Sequence, residues 1–125
     1  MRTIRIKTKE EKRKRRQARI RSKIFGTMAC PRLSVFKSNQ HLFVQLIDDM
    51  SGKTLVSASD QEIKIEKANK SDFIKVKTSK AVGKLIAEKA LTQKIKEVVF
   101  DRGGNRFMGR IKAVAEGARE GGLKF

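Results

Sequence analysis

Three stretches of the chain carry side chains able to do chemistry, and all three are cationic. The first is Arg13-Lys14-Arg15-Arg16, followed by Arg19 and Arg21. The second is Arg32 with Phe36-Lys37-Ser38-Asn39 and His41. The third, Arg102-Gly103-Gly104-Asn105-Arg106, continues to Gly109-Arg110 and Lys112. Cations pair with phosphates, hydroxyls and amides meet a 2′-OH, and flat rings stack on bases, so the second set assembles the groups that RNA recognition uses. In the third, glycines let backbone N–H groups approach a phosphate, and the N-terminus of a following helix favours an anion. Each stretch also has a plainer reading: a solvated charge run, a hairpin rim with Phe36 in the core, and a two-glycine turn into a helix. The sequence leaves Phe36 open, and it leaves His41 open between a strand-start surface residue and an RNA contact.

Catalytic chemistry finds less support. Gly52-Lys53-Thr54 looks like the end of a phosphate-binding loop, but position 47, where that motif needs a glycine, is Ile, and a strand follows where a helix is required. Asp48, Asp49 and Asp101 sit near strand ends and could be imagined as a metal-dependent nuclease cluster. Turn chemistry explains Asp48 and Asp49 equally well, and no fourth acid or activating histidine accompanies them. His41 is the only histidine and Cys30 the only cysteine, which leaves neither a zinc ligand set nor a triad. The expectation is a protein that is not an enzyme and takes no cofactor, metal or small-molecule substrate.

The charge balance points the same way. Of 125 residues, 31 are Lys or Arg and 13 are Asp or Glu, for a net charge of +18. Such an excess repels itself and is best explained by a polyanionic partner. No apolar run approaches the roughly 18–20 residues of a membrane span, and the N-terminus lacks the apolar stretch of a secretory signal. A single cysteine fits a reducing compartment, so the expected location is cytoplasmic. The charge is also concentrated: residues 1–24 hold +10 and residues 25–125 hold +8. That divides the chain into a basic N-terminal arm, 1–24, and a core-forming domain, 25–125.

The elements that must position these groups follow from the patterning. Thr8 and Glu11 have capping-box spacing at the head of a helix running through Arg19. From Thr8 onward Ala18, Ile20 and Ile24 are the only apolar residues of the arm, so it has no broad stripe to bury and is expected to fray when free. Arg32 to Ser38 and His41 to Asp48 read as strands joined by a tight turn at Asn39-Gln40. The nearly continuous apolar run Leu42, Phe43, Val44, Leu46 and Ile47 suggests a strand covered on both faces. Lys53 to Ser59 completes an antiparallel meander of three strands. Residues 60–77 are ambiguous, with a short helix around Gln61 to Ala68 as one reading. A helix capped by Thr78 or Ser79 runs to about Lys94, and Gly83 within it implies close packing on the sheet. Glu97 to Asp101 is a fourth strand and Arg110 to Glu120 a second body helix, ended by Gly121-Gly122, with Leu123 and Phe125 docking back. Strand, helix, strand, helix implies a crossover and a parallel pair. The fold class is α/β with a mixed sheet.

Pro31 to Asn39, Gln45 to Asp48, Val82 to Ala90, Val99-Phe100-Asp101-Arg102-Gly103-Gly104, Ala118-Arg119-Glu120 and Leu123-Lys124-Phe125 closely resemble the bacterial large-subunit ribosomal protein of the L-eighteen family. The resemblance runs from about Arg13 to Phe125 in the family's order and spacing. It implies a ribonuclease-H-like α/β fold without catalytic carboxylates, which binds 5S ribosomal RNA and helps attach it to 23S ribosomal RNA in the central protuberance. Neighbouring large-subunit proteins such as the L-five family are the implied protein partners. Carried over by position, the RNA-facing residues are the basic arm, Arg32, Lys37, Ser38, Asn39, His41, Arg102, Gly103, Gly104 and Arg110. The chain departs from the family between Gly104 and Gly109, with Asn105 and Met108 where an aromatic and a histidine are usual and Phe107 as an aromatic without a hydroxyl. The competing reading is a general nucleic-acid-binding protein without selectivity for 5S RNA.

Overall fold

The computed structural model describes residues 8–38, 41–63 and 72–125. In chain order the elements are α1 (Lys9–Arg21), β1 (Arg32–Lys37), β2 (Leu42–Asp48), β3 (Lys53–Ser59), a single 3-10 turn (Asp60–Glu62), α2 (Asp72–Thr92), β4 (Val99–Asp101) and α3 (Arg110–Glu120). The sheet order is β3-β2-β1-β4. β1 and β2 pair antiparallel, as do β2 and β3, while β1 and β4 run parallel. The α/β mixed sheet expected from the patterning is what the chain builds. Asn39-Gln40 and the rest of the reading for 64–71 lie outside the described residues. α2 begins at Asp72, several residues before the caps at Thr78 or Ser79 that the sequence suggested.

Period-2 alternation decides which face of the sheet is dry. Leu33 and Val35 of β1, Leu42, Val44 and Leu46 of β2, and Val56 and Ala58 of β3 are all buried on one face. They meet Val82, Ile86 and Ala90 of α2 and Ile111, Val114 and Ala118 of α3. Burying one such leucine fully contributes about 1.5–3 kcal/mol, so this layer carries most of the stability. α2 and α3 pack against each other through glycine. A Cβ at Gly83 would lie 2.3 Å from the Val114 carbonyl oxygen, and one at Gly117 would lie 2.1 Å from the Lys80 carbonyl oxygen. Gly83 therefore serves a close approach of two helices, not the helix–sheet contact the sequence suggested. Leu123 is buried, Phe125 stacks on Phe100 at 5.5 Å, and Val98 N–H donates to the Lys124 carbonyl, so the C-terminus docks back on the far side of β4.

The other face is not covered in the same way. β2 was expected to be covered on both faces, but Phe43 is 38% exposed, and Gln45 and Ile47 are only half-buried. The apolar run misled because Phe43 and Ile47 sit on the outer parity of the strand. α1 lies at the edge of this open face, against the turn that follows β4. Thr8 caps it, its hydroxyl accepting from the Glu11 N–H at 3.2 Å. None of its residues is fully buried, yet Arg13, Gln17, Ile20 and, just beyond its end, Ile24 are half-buried at spacings of four, three and four. That periodicity makes one narrow inward stripe. The arm thus lies docked on the body through a mixed polar stripe that a search for apolar residues alone passes over.

Candidate nucleic-acid interface

The open face presents an aromatic pair. Phe36 and Phe43 are directly opposite each other in the β1–β2 register, and Phe36 is 59% exposed. The question left open for Phe36 is answered on the side of the surface. Phe43 was missed, although its pairing with Phe36 follows from a two-residue turn at positions 39 and 40, since each step back from Ser38 pairs with a step forward from His41. Beyond the pair, Ser38 and His41 close the hairpin. The Ser38 N–H donates to the His41 carbonyl at 2.8 Å, and the His41 N–H donates to the Ser38 hydroxyl at 3.1 Å. The exposed His41 ring lies 3.5 Å from the Asp60 carboxylate. Asn39, the remaining residue of this set, is outside the described residues.

Arg110, the first residue of α3, reaches across to this hairpin. Its Nη2 donates to the Ser38 carbonyl at 2.7 Å, which brings the third cationic stretch to the second. Lys37 stands close enough that burial, and then repulsion from Arg110, lower its pKa. Two neighbouring cations destabilise each other until an anion joins them. Arg106 is exposed on the same loop and Arg102 is half-buried.

Arg32 belongs elsewhere. It is 6% exposed, and its guanidinium is spent internally. Nε and Nη2 hold the two Asp49 oxygens at 2.9 Å each, and Nη1 holds Asp101 Oδ2 at 2.7 Å. The hydrogen bond from Arg32, helped by the Gly26 N–H, holds the Asp49 carboxyl below the usual carboxylate range. The sequence reading of Arg32 as an RNA contact gives way to an ionic tie between β1, β4 and the turn after β2. Nothing in the local pattern distinguishes the two, because the partners lie 17 and 69 residues away. The acids imagined as a nuclease cluster are likewise engaged: Asp48 accepts from the Met50 N–H and the Ser51 hydroxyl in its turn, and Asp101 Oδ1 accepts from the Gly103 N–H at 2.8 Å. Among the described residues no group of three or more His, Cys, Asp or Glu could hold a metal ion.

The Gly103-Gly104 turn also differs from its expected openness. Both glycines are buried, under α1. Arg13 Nη1 donates to the Gly103 carbonyl at 3.0 Å and Arg16 Nε to the Gly104 carbonyl at 2.8 Å. Arg13 also grips Glu10 through two bonds, which hold that carboxyl below its ordinary range. Arg21 approaches Asp101 at 3.6 Å. By contrast Lys14, Arg15 and Arg19 are exposed, with no side-chain hydrogen bond or ion pair among the described residues. Between α1 and the open sheet face runs a cleft of about 410 Å³, lined by Arg13, Gln17, Phe36, Phe43, Gln45 and Asn105 among others. Gln17 and Gln45 add amides that motif reading had not singled out, beside Asn105 of the third cationic stretch.

Stacking rings, amides and cations converging from α1, the β1–β2 hairpin and the start of α3 suit a ligand with bases and phosphates, on a scaffold built for binding. The chain belongs to the ribosomal L18 family, a family of ribosomal proteins and not of enzymes: the profile described as "Ribosomal L18 of archaea, bacteria, mitoch. and chloroplast" matches residues 7–125. It is 52% identical over 124 residues to the large ribosomal subunit protein uL18 of Thermotoga petrophila, covering 98% of this chain and 99% of that one. Against the uL18 protein of an Exiguobacterium species the identity is 56% over 113 residues, covering 90% and 92%. Against that of Pediococcus pentosaceus it is 50% over 117 residues, covering 94% and 95%. No helix among the described residues is long and apolar enough to cross a membrane.

Proposed function

We propose that this chain is a structural constituent of the large ribosomal subunit, in the cytoplasm, that binds 5S ribosomal RNA. In this reading it helps attach that RNA to 23S ribosomal RNA in the central protuberance, beside neighbours such as a protein of the L-five family. The observation that carries the reading is the 2.7 Å bond from Arg110 to the Ser38 carbonyl. It joins two cationic stretches 72 residues apart into one patch beside the Phe36–Phe43 pair. RNA loops and irregular helices offer unstacked bases and closely spaced phosphates, which such a patch meets by stacking and charge-assisted hydrogen bonds. The contact set is Lys37, Ser38, Asn39, His41, Arg102, Arg106, Arg110, the two phenylalanines and the outward cations of the arm. The basic arm and the α/β domain act on the RNA together.

A competition titration at matched salt tests this. Labelled 5S RNA bound to the protein is challenged with unlabelled 5S RNA and, separately, with transfer RNA. The proposal expects 5S RNA to compete far better. Equal competition would reduce the protein to a general nucleic-acid binder.

A further inference from the structure

Resting on the reading that the chain binds RNA, we propose that Gly104 and Arg13 are positioning residues: they seat α1 on the turn after β4 so that Lys12, Arg15 and Arg19 face the RNA. The seat is specific. A Cβ at Gly104 would lie 2.4 Å from the Arg13 carbonyl oxygen and 3.0 Å from the Gln17 amide nitrogen, so only glycine lets the helix backbone come this close. The φ of +79° at Gly104 turns its carbonyl to accept from Arg16, while the preceding carbonyl accepts from Arg13. Asp101 fixes the turn from behind by accepting the Gly103 N–H, and it is itself held by Arg32. Two consecutive carbonyls therefore receive two arginines one helical turn apart, and the helix has a defined rotation about its own axis.

That rotation sorts the cations of α1. Arg13, Gln17 and Ile20 face inward. Lys12, Arg15 and Arg19, at spacings of three and four, share the opposite face; all three are exposed, without a side-chain partner among the described residues. They span roughly 10 Å along the helix axis. A helix with eight Lys or Arg and two Glu gains little from burial, and loose in solution it would spend part of its binding energy on ordering. Seated, it offers its outer cations already aligned. Arg13 thus contributes to RNA affinity through its carbonyl partner and not through a phosphate.

A double-mutant cycle on the full chain tests this, with 5S RNA titrated over a series of salt concentrations. The variants are Gly104→Ala, the triple change Lys12→Gln, Arg15→Gln and Arg19→Gln, and their combination. Gly52→Ala is the control, since Gly52 also has positive φ (+69°) but has open space around an added Cβ. The triple change should flatten log K against log salt by about 2–3, at roughly 0.7–0.9 for each phosphate neutralised. Gly104→Ala should weaken binding by about tenfold, flatten the slope in the same sense and speed amide exchange in α1 while α2 and α3 keep their protection. Added to the triple change it should cost less than a further twofold, and Gly52→Ala should leave affinity and slope unaltered. Arg13→Gln, which breaks the bond to Gly103 without straining the turn, should repeat the pattern and keeps the test open if Gly104→Ala folds poorly. Full multiplication of the two effects, or an unchanged slope in any of the arm variants, overturns the proposal. A wild-type chain that binds transfer RNA as well as 5S RNA sinks only the selectivity reading, because the cycle is then read on either RNA.

Discussion

The two faces of the sheet are built from the same strands and obey different chemistry. On the covered face Leu33, Val44 and Leu46 belong to one apolar cluster with side chains of α2 and α3, and the helices close on each other through Gly83 and Gly117. On the open face Phe36 and Phe43 remain in contact with water, and the helix beside them is held by guanidinium–carbonyl bonds. Apolar burial is non-directional and supplies stability; polar docking is directional and supplies orientation. The fold therefore keeps its stability on one side of the sheet and leaves the other free to be complementary to a partner. Arg32, on the open-face parity of β1, is a buried cation that ties this strand to the turn after β2 and to β4.

The largest loss should follow from removing that tie. Arg32→Ala removes the 2.7 Å guanidinium partner of Asp101, which is wholly buried and keeps only the Gly103 N–H and the more distant Arg21; removal of one member of a buried pair costs about 3–5 kcal/mol. Denaturant melts at neutral pH should show that loss. The pH dependence has a defined sign. Because Arg32 depresses the folded-state pKa of Asp49, that carboxylate stabilises the fold at neutral pH, and the contribution disappears as pH falls through the folded pKa, below the ordinary aspartate range. The stability gap between wild type and Arg32→Ala should therefore narrow in acid; a gap that stays constant would mean that Asp49 is not the coupled group.

Next in size is the covered face. Leu46→Ala, at a fully buried site, should lower stability by about 2–5 kcal/mol while the folded fraction keeps its affinity for RNA. Melting and titration of one sample separate the two quantities. On the open face the pattern should invert: Phe36→Ala is expected to change stability by less than about 1 kcal/mol and to weaken RNA binding by about 1–3 kcal/mol, the range for loss of one stacked base. If Phe36→Ala melts early and binds normally, the aromatic pair is architecture. The smallest effect belongs to Arg119, whose guanidinium sits 4.5 Å from the Phe125 ring centre behind β4. Arg119→Ala should cost about 0.5–1 kcal/mol of stability and leave RNA affinity unaltered, although it removes a positive charge.

Local features were legible where one stretch of sequence contains all the interacting parts. The Thr8 cap, the meander of β1 to β3, the span of α3 and the return of Leu123 and Phe125 each depend on residues near one another or on simple alternation. What escaped depends on distant partners. The phosphate-ready look of Gly103-Gly104 gave no sign that Arg13 and Arg16, nearly ninety residues earlier, take those carbonyls. Gly83 could be seen to need a close neighbour, but not that the neighbour is α3. In β2 the aromatic at position 43 reads as core by type and as surface by parity, and parity decided. The start of α2 at Asp72 was hidden inside a stretch, 60–77, whose sequence reads as ambiguous. For the candidate interface, the sequence supplied most of the cations and the fold sorted them into those that hold the arm and those that face outward.

In the proposed complex the open face with α1 meets RNA while the helix-covered side faces away from it. Amide chemical-shift mapping of the full-length protein with and without 5S RNA addresses it directly. Shifts should concentrate in α1, the β1–β2 hairpin around Phe36 to Phe43, and Arg106 to Arg110, and the outer surfaces of α2 and α3 around Lys80, Lys84 and Glu120 should stay unperturbed. Shifts centred on those α2 and α3 residues, with the hairpin and α1 silent, would contradict it.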